Sequence, residues 1–142
     1  MNEQEIMDEW IKDSEIDPLK LGEAARKIPN LQAKYYAFYY ESKKQLIRFK
    51  IAYKKLKHDK EEFLINPTKE DIDRGWEFPG RKILKGDIRP YLEGEDEVLR
   101  FELKMNMQAE LVEMLHEIVK QIGARNFIIT NLIKDRDFLN GK

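Results

Sequence analysis

Basic side chains are concentrated between residues 43 and 60, where Asp59 alone carries the opposite charge. The cations of this stretch are Lys43, Lys44, Arg48, Lys50, Lys54, Lys55, Lys57 and Lys60. Lysine on an outer helix face commonly serves only solvation. Here most of the cations lack an acidic partner four residues further on, and like charges at that spacing repel within a helix. The stretch therefore indicates an anionic partner, and a nucleic-acid backbone is a regular row of such charge.

Two tyrosines precede this stretch in the same helical register. Tyr36 continues the row formed by every seventh residue at Lys43, Lys50 and Lys57, and Tyr40 lies in line with Lys54. Aromatic rings beside a basic row can stack on unpaired bases. Packing in a core or an interface is the alternative role for both rings, so the sequence leaves the two roles open.

Residues for catalysis or metal binding are poorly represented. The chain has no phosphate-binding glycine loop, no nucleophile motif and no cysteine. His58 and His116 are isolated, without metal-ligand spacing to another residue. Glu110, Glu113 and Glu117 recur at helical spacing, which a solvated helix face explains. We expect no cofactor, no metal and no enzymatic activity.

A long helix is predicted to present the basic stretch. Residues 18 to 65 read as helical, with a break or kink near Pro29, which lacks an N–H group. From Asn30 onward the side chains of a heptad seam alternate at spacings of three and four. The seam consists of Gln32, Tyr35, Tyr39, Ser42, Leu46, Phe49, Tyr53, Leu56, Lys60 and Phe63. Apart from Lys60, the basic residues fall off this seam and remain available to a partner.

The other predicted elements complete a single helical domain over residues 1–142. An acidic N-terminal helix lies within residues 1–14, where Trp10 either binds a partner or docks on the domain's own core. Residues 66–95 read as a connector with two short strands, near Trp76–Phe78 and Lys82–Leu84. Residues 96–139 form C-terminal helices for packing and oligomerisation. The predicted class is mainly α, with long antiparallel helices in a hairpin-like subunit.

Composition limits the location and the class of protein. Charged residues make up 37% of the 142 residues, which favours long solvated helices over a compact α/β enzyme. The first residues are acidic, unlike a secretory signal, and no apolar run approaches the roughly 20 residues that span a bilayer. We expect no membrane association and a cytoplasmic location.

Several short segments, in order and at matching spacing, resemble the UvsY family of bacteriophage recombination mediators. They are Ile16-Asp17, Lys20-Leu21, Glu23–Ala25, Lys43-Lys44, Leu46–Arg48, Lys54-Lys55, Leu56-Lys57, Asp96–Leu99, Arg125, Phe127, Asp135-Arg136, Phe138 and Gly141-Lys142. The resemblance implies a non-catalytic protein that binds single-stranded DNA. It also implies loading of a RecA-like recombinase onto DNA coated by single-strand-binding protein, with contacts to both partners in an infected bacterial cell.

The resemblance also implies an assembly and particular contacts. Members form rings of six or seven subunits, and the family's DNA contacts correspond here to Lys57 and, with a one-residue slip, to Lys60. This chain departs from the family there, because His58-Asp59 stands between the two and lysine replaces the expected arginine. The family uses its C-terminal helices for assembly, which points to Phe127, Ile128, Leu132, Ile133 and Phe138. Two other functional classes remain: a coiled-coil adaptor or assembly chaperone without a DNA role, and a DNA enzyme such as a nuclease.

Overall fold

Helices form the regular structure of the computed structural model, which describes residues 2–141. They are α1 (Glu3–Asp13), α2 (Leu21–Ile65), α3 (Lys69–Asp73), α4 (Ile88–Glu93), α5 (Asp96–Gly123) and α6 (Arg125–Leu139), with a 3₁₀ turn at Lys85–Asp87. No strand occurs within residues 2–141. The mainly α class is confirmed, whereas the hairpin-like arrangement and the ring stay predictions.

The two short strands expected in the connector were wrong. Trp76 and Phe78 instead pack their rings against Phe63 near the end of α2, with ring centroids 5.6 and 5.9 Å from it. Ile83 packs against the same apolar cluster. Aromatic and β-branched residues favour strands because they fit a half-buried surface. Here a helix end supplies that surface without any partner strand.

The start of α2 differs from the sequence expectation. Asp17 and Pro18 form a turn, in which the Leu19 amide donates to the Asp17 carboxylate at 2.9 Å. The helix begins after this turn, at Leu21, and continues through Pro29 without interruption. Proline costs a helix one hydrogen bond. Burial of Ile28 and Tyr35 on either side holds the helical path in place.

The chain divides into two compact units. Unit 1 contains the residues up to Lys43 and those from Glu110 onward, and unit 2 is Lys44–Ala109. In unit 1, α1, the first half of α2, the second half of α5 and α6 surround one apolar core. Its buried members are Ile6, Leu21, Ile28, Tyr35, Leu111, Leu115, Ile118, Ile122 and Ile129. The core of unit 2 contains Phe63, Leu64, Ile88 and Leu92.

Asp13, at the end of α1, links this helix to the rest of unit 1. Its carboxylate accepts hydrogen bonds from Lys34 Nζ at 2.6 Å and from the Tyr35 hydroxyl at 2.8 Å. Its main-chain oxygen accepts from the buried Arg125 guanidinium at 3.1 Å. Trp10 packs edge-on against Tyr35, with the centroids 5.3 Å apart. The acidic helix thus docks on its own core through polar and aromatic contacts.

Replacing Asp13 with asparagine should lower stability at neutral pH and change its pH dependence. Burial alone would raise the pKa of Asp13, but hydrogen bonds from Lys34 and Tyr35 outweigh burial and hold the pKa below its usual value. The stabilisation is therefore fully present above the unfolded-state pKa of about 3.9 and is lost as pH falls through the lower folded-state pKa. We expect Asp13→Asn to cost roughly 1–2 kcal/mol near neutral pH, measured by urea denaturation.

The matched control for this substitution is Asp135→Asn, on an exposed position of α6. It should change stability by less than about 0.5 kcal/mol. The gap in unfolding free energy between wild type and Asp13→Asn should narrow on acidification below about pH 4. A gap that stayed constant down to the acid transition would contradict the assigned ionic role of Asp13.

Candidate nucleic-acid interface

The side of α2 opposite its packing seam carries the cations of unit 2. Phe49 and Tyr53 pack on Phe101 of α5, with ring centroids 6.2 and 6.0 Å from it. This contact turns the off-seam side chains toward solvent, as the heptad pattern predicted. We call the following set the basic face: Lys44, Arg48, Lys50, Lys54, Lys55 and Lys57. All are exposed except Lys44 and Lys57, which are half-buried.

Most of the positive charge of the basic face is uncompensated. Among the described residues, no carboxylate oxygen lies within 4.0 Å of the charged atoms of Arg48, Lys50, Lys54, Lys55 or Lys57. Arg48 donates to the neutral Gln45 side chain at 3.3 Å. The Lys57 ammonium lies 5.4 Å from the centroid of the Tyr53 ring. Such a face attracts a polyanion, because binding releases the counterions condensed on the polyanion.

The cations of the basic face form two rows along α2, because an α-helix turns about once every 3.6 residues. One row contains Lys50, Lys54 and Lys57, and the other contains Lys44, Arg48 and Lys55. Between the rows, Ile47 and Ile51 are 56% and 65% exposed. The face therefore offers charge on both sides of an apolar strip, which suits a strand with charged phosphates and apolar base faces.

Lys60 lies apart from this face, although the resemblance pointed to it as a DNA contact. It is 7% exposed, and its ammonium lies 3.0 Å from Glu95 and 2.8 Å from Glu97. The Trp76 ring centroid is 4.8 Å from the same nitrogen. Burial tends to raise the pKa of Glu95, but the Val98 amide and Lys60 outweigh it and lower the pKa. In this structure Lys60 is an internal counter-charge and is not presented to a strand.

The remaining predicted contacts, Tyr36, Tyr40 and Lys43, lie in unit 1. Both tyrosines are exposed over more than half of their surface. Tyr36 lies 6.3 Å from the Tyr39 ring, and the Lys43 ammonium lies over Tyr39 at 5.1 Å. Packing inside the core of unit 1 does not account for such exposure. Stacking on bases therefore stays a prediction for both rings, as does packing between copies.

One cation near the basic face was missed by the sequence reasoning. Arg89, in the first turn of α4, lines a groove of unit 2 together with Lys50, Lys54 and Lys57. The signal was present in the connector, where cations and aromatic residues lie close together in the sequence. These residues are Arg74, Trp76, Phe78, Arg81, Lys82, Lys85, Arg89 and Tyr91. Such a combination is typical of single-strand-binding surfaces.

The residues expected to mediate assembly lie on α6 in unit 1. Phe127 and Phe138 are 72% and 80% exposed, and Ile128 and Leu132 are also exposed. Ile133 differs, because it packs against the core of unit 1. Four of the five predicted residues thus present apolar surface to solvent, whereas Ile133 is partly buried against the core of its own unit.

Within residues 2–141, no group of three or more His, Cys, Asp or Glu side chains is arranged to hold a metal ion. Over the same part of the chain, every helix is too short or too polar to cross a bilayer.

Known proteins provide an independent comparison. A family profile described as "Recombination, repair and ssDNA binding protein UvsY" matches residues 9–142. No curated protein and no solved structure matches the chain. The profile covers nearly all of the sequence, including α2 with its basic face and the exposed side chains of α6.

Proposed function

Because this chain belongs to the UvsY family of recombination, repair and single-stranded-DNA-binding proteins, we propose that it is a recombination mediator. In this role it binds single-stranded DNA coated by single-strand-binding protein and helps to load a RecA-like phage recombinase onto it. The process served is recombination-dependent replication and repair in the cytoplasm of an infected bacterium. The observation that carries the proposal is the charge of five cations of the basic face that no described carboxylate neutralises, namely Arg48, Lys50, Lys54, Lys55 and Lys57.

The chemistry of the basic face suits a mediator, which must bind any sequence. Phosphate contacts release counterions without reading bases. The apolar strip of Ile47 and Ile51 offers contact to base faces of any kind. None of these interactions requires a catalytic group, so the proposed role is binding and handover of the strand.

Assembly raises the affinity of such a face. One basic face alone should bind a strand weakly, whereas six or seven faces on a ring share one strand. The second and later contacts then become intramolecular and gain from a high effective concentration. The exposed apolar side chains of α6 support self-association, because apolar surface on a lone subunit is stabilised by burial against another copy.

Sedimentation with a labelled single strand at two salt concentrations tests binding and assembly together. The wild type should sediment as a particle of six or seven chains and retain DNA less at the higher salt. Replacing Phe127 and Phe138 with serine should yield smaller particles. The loss of shared contacts should weaken DNA retention by about tenfold or more.

The matched control replaces Ile72 and Leu84 with serine, since both are exposed apolar residues outside α6. This control should sediment and bind as the wild type does. An unchanged particle for the Phe127→Ser, Phe138→Ser variant would show that α6 does not form the interface. A wild type that retains no DNA at the lower salt would overturn the mediator proposal itself.

One observation favours a second function, that of a non-catalytic coiled-coil adaptor. Ile47 and Ile51 expose apolar surface on the outer side of α2, where another protein's helix could pack. In an adaptor the surrounding lysines serve solvation, and single-stranded DNA is not retained at moderate salt. The sedimentation experiment separates the two functions, because only the mediator brings labelled DNA into the particle.

A further inference from the structure

The groove beside α2 in unit 2 is the strongest feature that the proposed function does not use. We propose that it receives one unpaired base of the bound strand, with Arg89 on the adjoining phosphate. The inference rests on the proposed function and deepens it, since it names the part of the site that distinguishes single strands from duplex.

The size and lining of the groove suit a base. Its volume is about 680 Å³, within the roughly 300–1,000 Å³ typical of small-molecule sites. Tyr53, Leu92 and Met105 supply apolar surface, and Leu92 is itself part of the core of unit 2. A nucleobase presents an apolar face and a polar edge, so it can cover these side chains while its edge stays in water.

The charges around the groove suit the phosphate that accompanies a base. Lys50, Lys54, Lys57 and Arg89 line it, against the carboxylates of Glu61 and Glu93. Among the described residues Arg89 makes no ion pair, whereas Arg74, in the same connector, lies 3.9 Å from both Asp59 and Asp71. An unengaged guanidinium can fork onto two phosphate oxygens.

The ring of Tyr53 is held in place before any strand arrives. Its hydroxyl donates to Glu102 at 3.3 Å, and its ring stacks on Phe101 at 6.0 Å with an interplanar angle of 19°. Burial, reinforced by Glu102, raises the pKa of Tyr53, so the hydroxyl remains a donor. A fixed ring loses little entropy on binding. An entering base would displace the Lys57 ammonium from the ring and leave it for a phosphate.

Such a groove favours single strands because a duplex holds its bases stacked and paired. Extruding a base from a duplex costs a few kcal/mol, and a single strand avoids most of that cost. The phosphate contacts of the basic face are open to both kinds of DNA. Unlike these phosphate contacts, the groove adds binding that depends on an unpaired base.

Fluorescence anisotropy with two single strands of equal length and charge tests the groove. One strand is oligothymidylate, and the other carries abasic deoxyribose at every position. The wild type should bind the thymidylate strand about tenfold more tightly, since one stacked base per site has that order of effect. Arg89→Ala should lower the affinity for thymidylate about tenfold, and that for the abasic strand and a duplex by less than about threefold, because Arg89 meets its phosphate only when the neighbouring base lies in the groove.

Arg81→Ala is the control, because Arg81 is an exposed cation of the same connector that does not line the groove. It should weaken binding to both strands alike and only slightly. Equal wild-type affinity for the two strands, or equal losses from Arg89→Ala and Arg81→Ala on thymidylate, would overturn the inference and leave the basic face intact. A wild type that binds neither strand would overturn the proposed function as well.

Discussion

Replacing the cations at positions 50, 54, 55 and 57 together with glutamine should weaken binding to single-stranded DNA about a hundredfold or more near 0.1 M salt. Each lost phosphate contact removes about 0.7 from the slope of log affinity against log salt for a single strand, so the slope should flatten by roughly 3. Any DNA sequence should show the same loss. A titration of a labelled strand over a series of salt concentrations measures both quantities.

A set of four lysines elsewhere on the surface provides the matched control. Glutamine at Lys12, Lys69, Lys120 and Lys134 removes the same net charge from exposed positions outside the basic face. This variant should keep nearly the full salt slope. Equal losses from the two sets would mean that net charge, and not the basic face, governs binding.

The same two variants also test loading of the recombinase. ATP hydrolysis by a RecA-like recombinase on strands coated with single-strand-binding protein reports how much recombinase has reached the DNA. The wild type and the control set should stimulate it, and the basic-face variant should not. Full stimulation by a variant that no longer binds DNA would separate loading from strand binding and contradict the proposed mechanism.

Replacing Lys60 with methionine should destabilise the protein while leaving the salt slope of DNA binding unchanged. The substitution leaves Glu95 and Glu97 without the ammonium that neutralises them. Breaking a fully buried pair costs about 3–5 kcal/mol. The side chain of Glu97 is 41% exposed, so solvent lowers the expected cost to about 2 kcal/mol. Urea denaturation measures the loss.

Lys55→Met is the control for Lys60→Met, because it removes an exposed and unpaired lysine from the same helix. It should change stability by less than about 0.5 kcal/mol and should flatten the salt slope slightly. We thus expect Lys60→Met to lower stability without changing the salt slope, and Lys55→Met to flatten the salt slope without changing stability appreciably. A Lys60→Met protein with wild-type stability and a flatter salt slope would place Lys60 on the DNA and contradict its role as an internal counter-charge.

The sequence predicted well what depends on local periodicity. The spacing of three and four residues along α2 identified Tyr35 and Phe63 as inward-facing, and both are buried. The same spacing left Lys50 and Lys54 on the outside, where they are exposed. The effect of Pro29 was harder to predict from the sequence. A proline there is compatible with either a break or a continuous helix, and the burial of its neighbours decides between them.

What the sequence could not show depends on residues distant in the chain. Lys60 reads as one more member of a basic stretch, and its neutralisation comes from Glu95 and Glu97 across the connector. Arg89 reads as a loop residue until the fold brings it beside Lys57. The predicted strands failed for a similar reason, since the partner of Trp76 is the end of a helix and not another strand.

In the proposed complex, the affinity for a strand depends on two kinds of contact, those of the lysine rows and those of the apolar strip of Ile47 and Ile51. Added salt affects the two in opposite ways. Added salt screens the lysine rows, whereas salts such as sulfate strengthen the burial of apolar surface. Burying the strip on binding also makes the heat capacity change negative. Such a complex should keep some affinity at salt concentrations that screen its ionic contacts. This remaining affinity should depend more on temperature than on salt concentration.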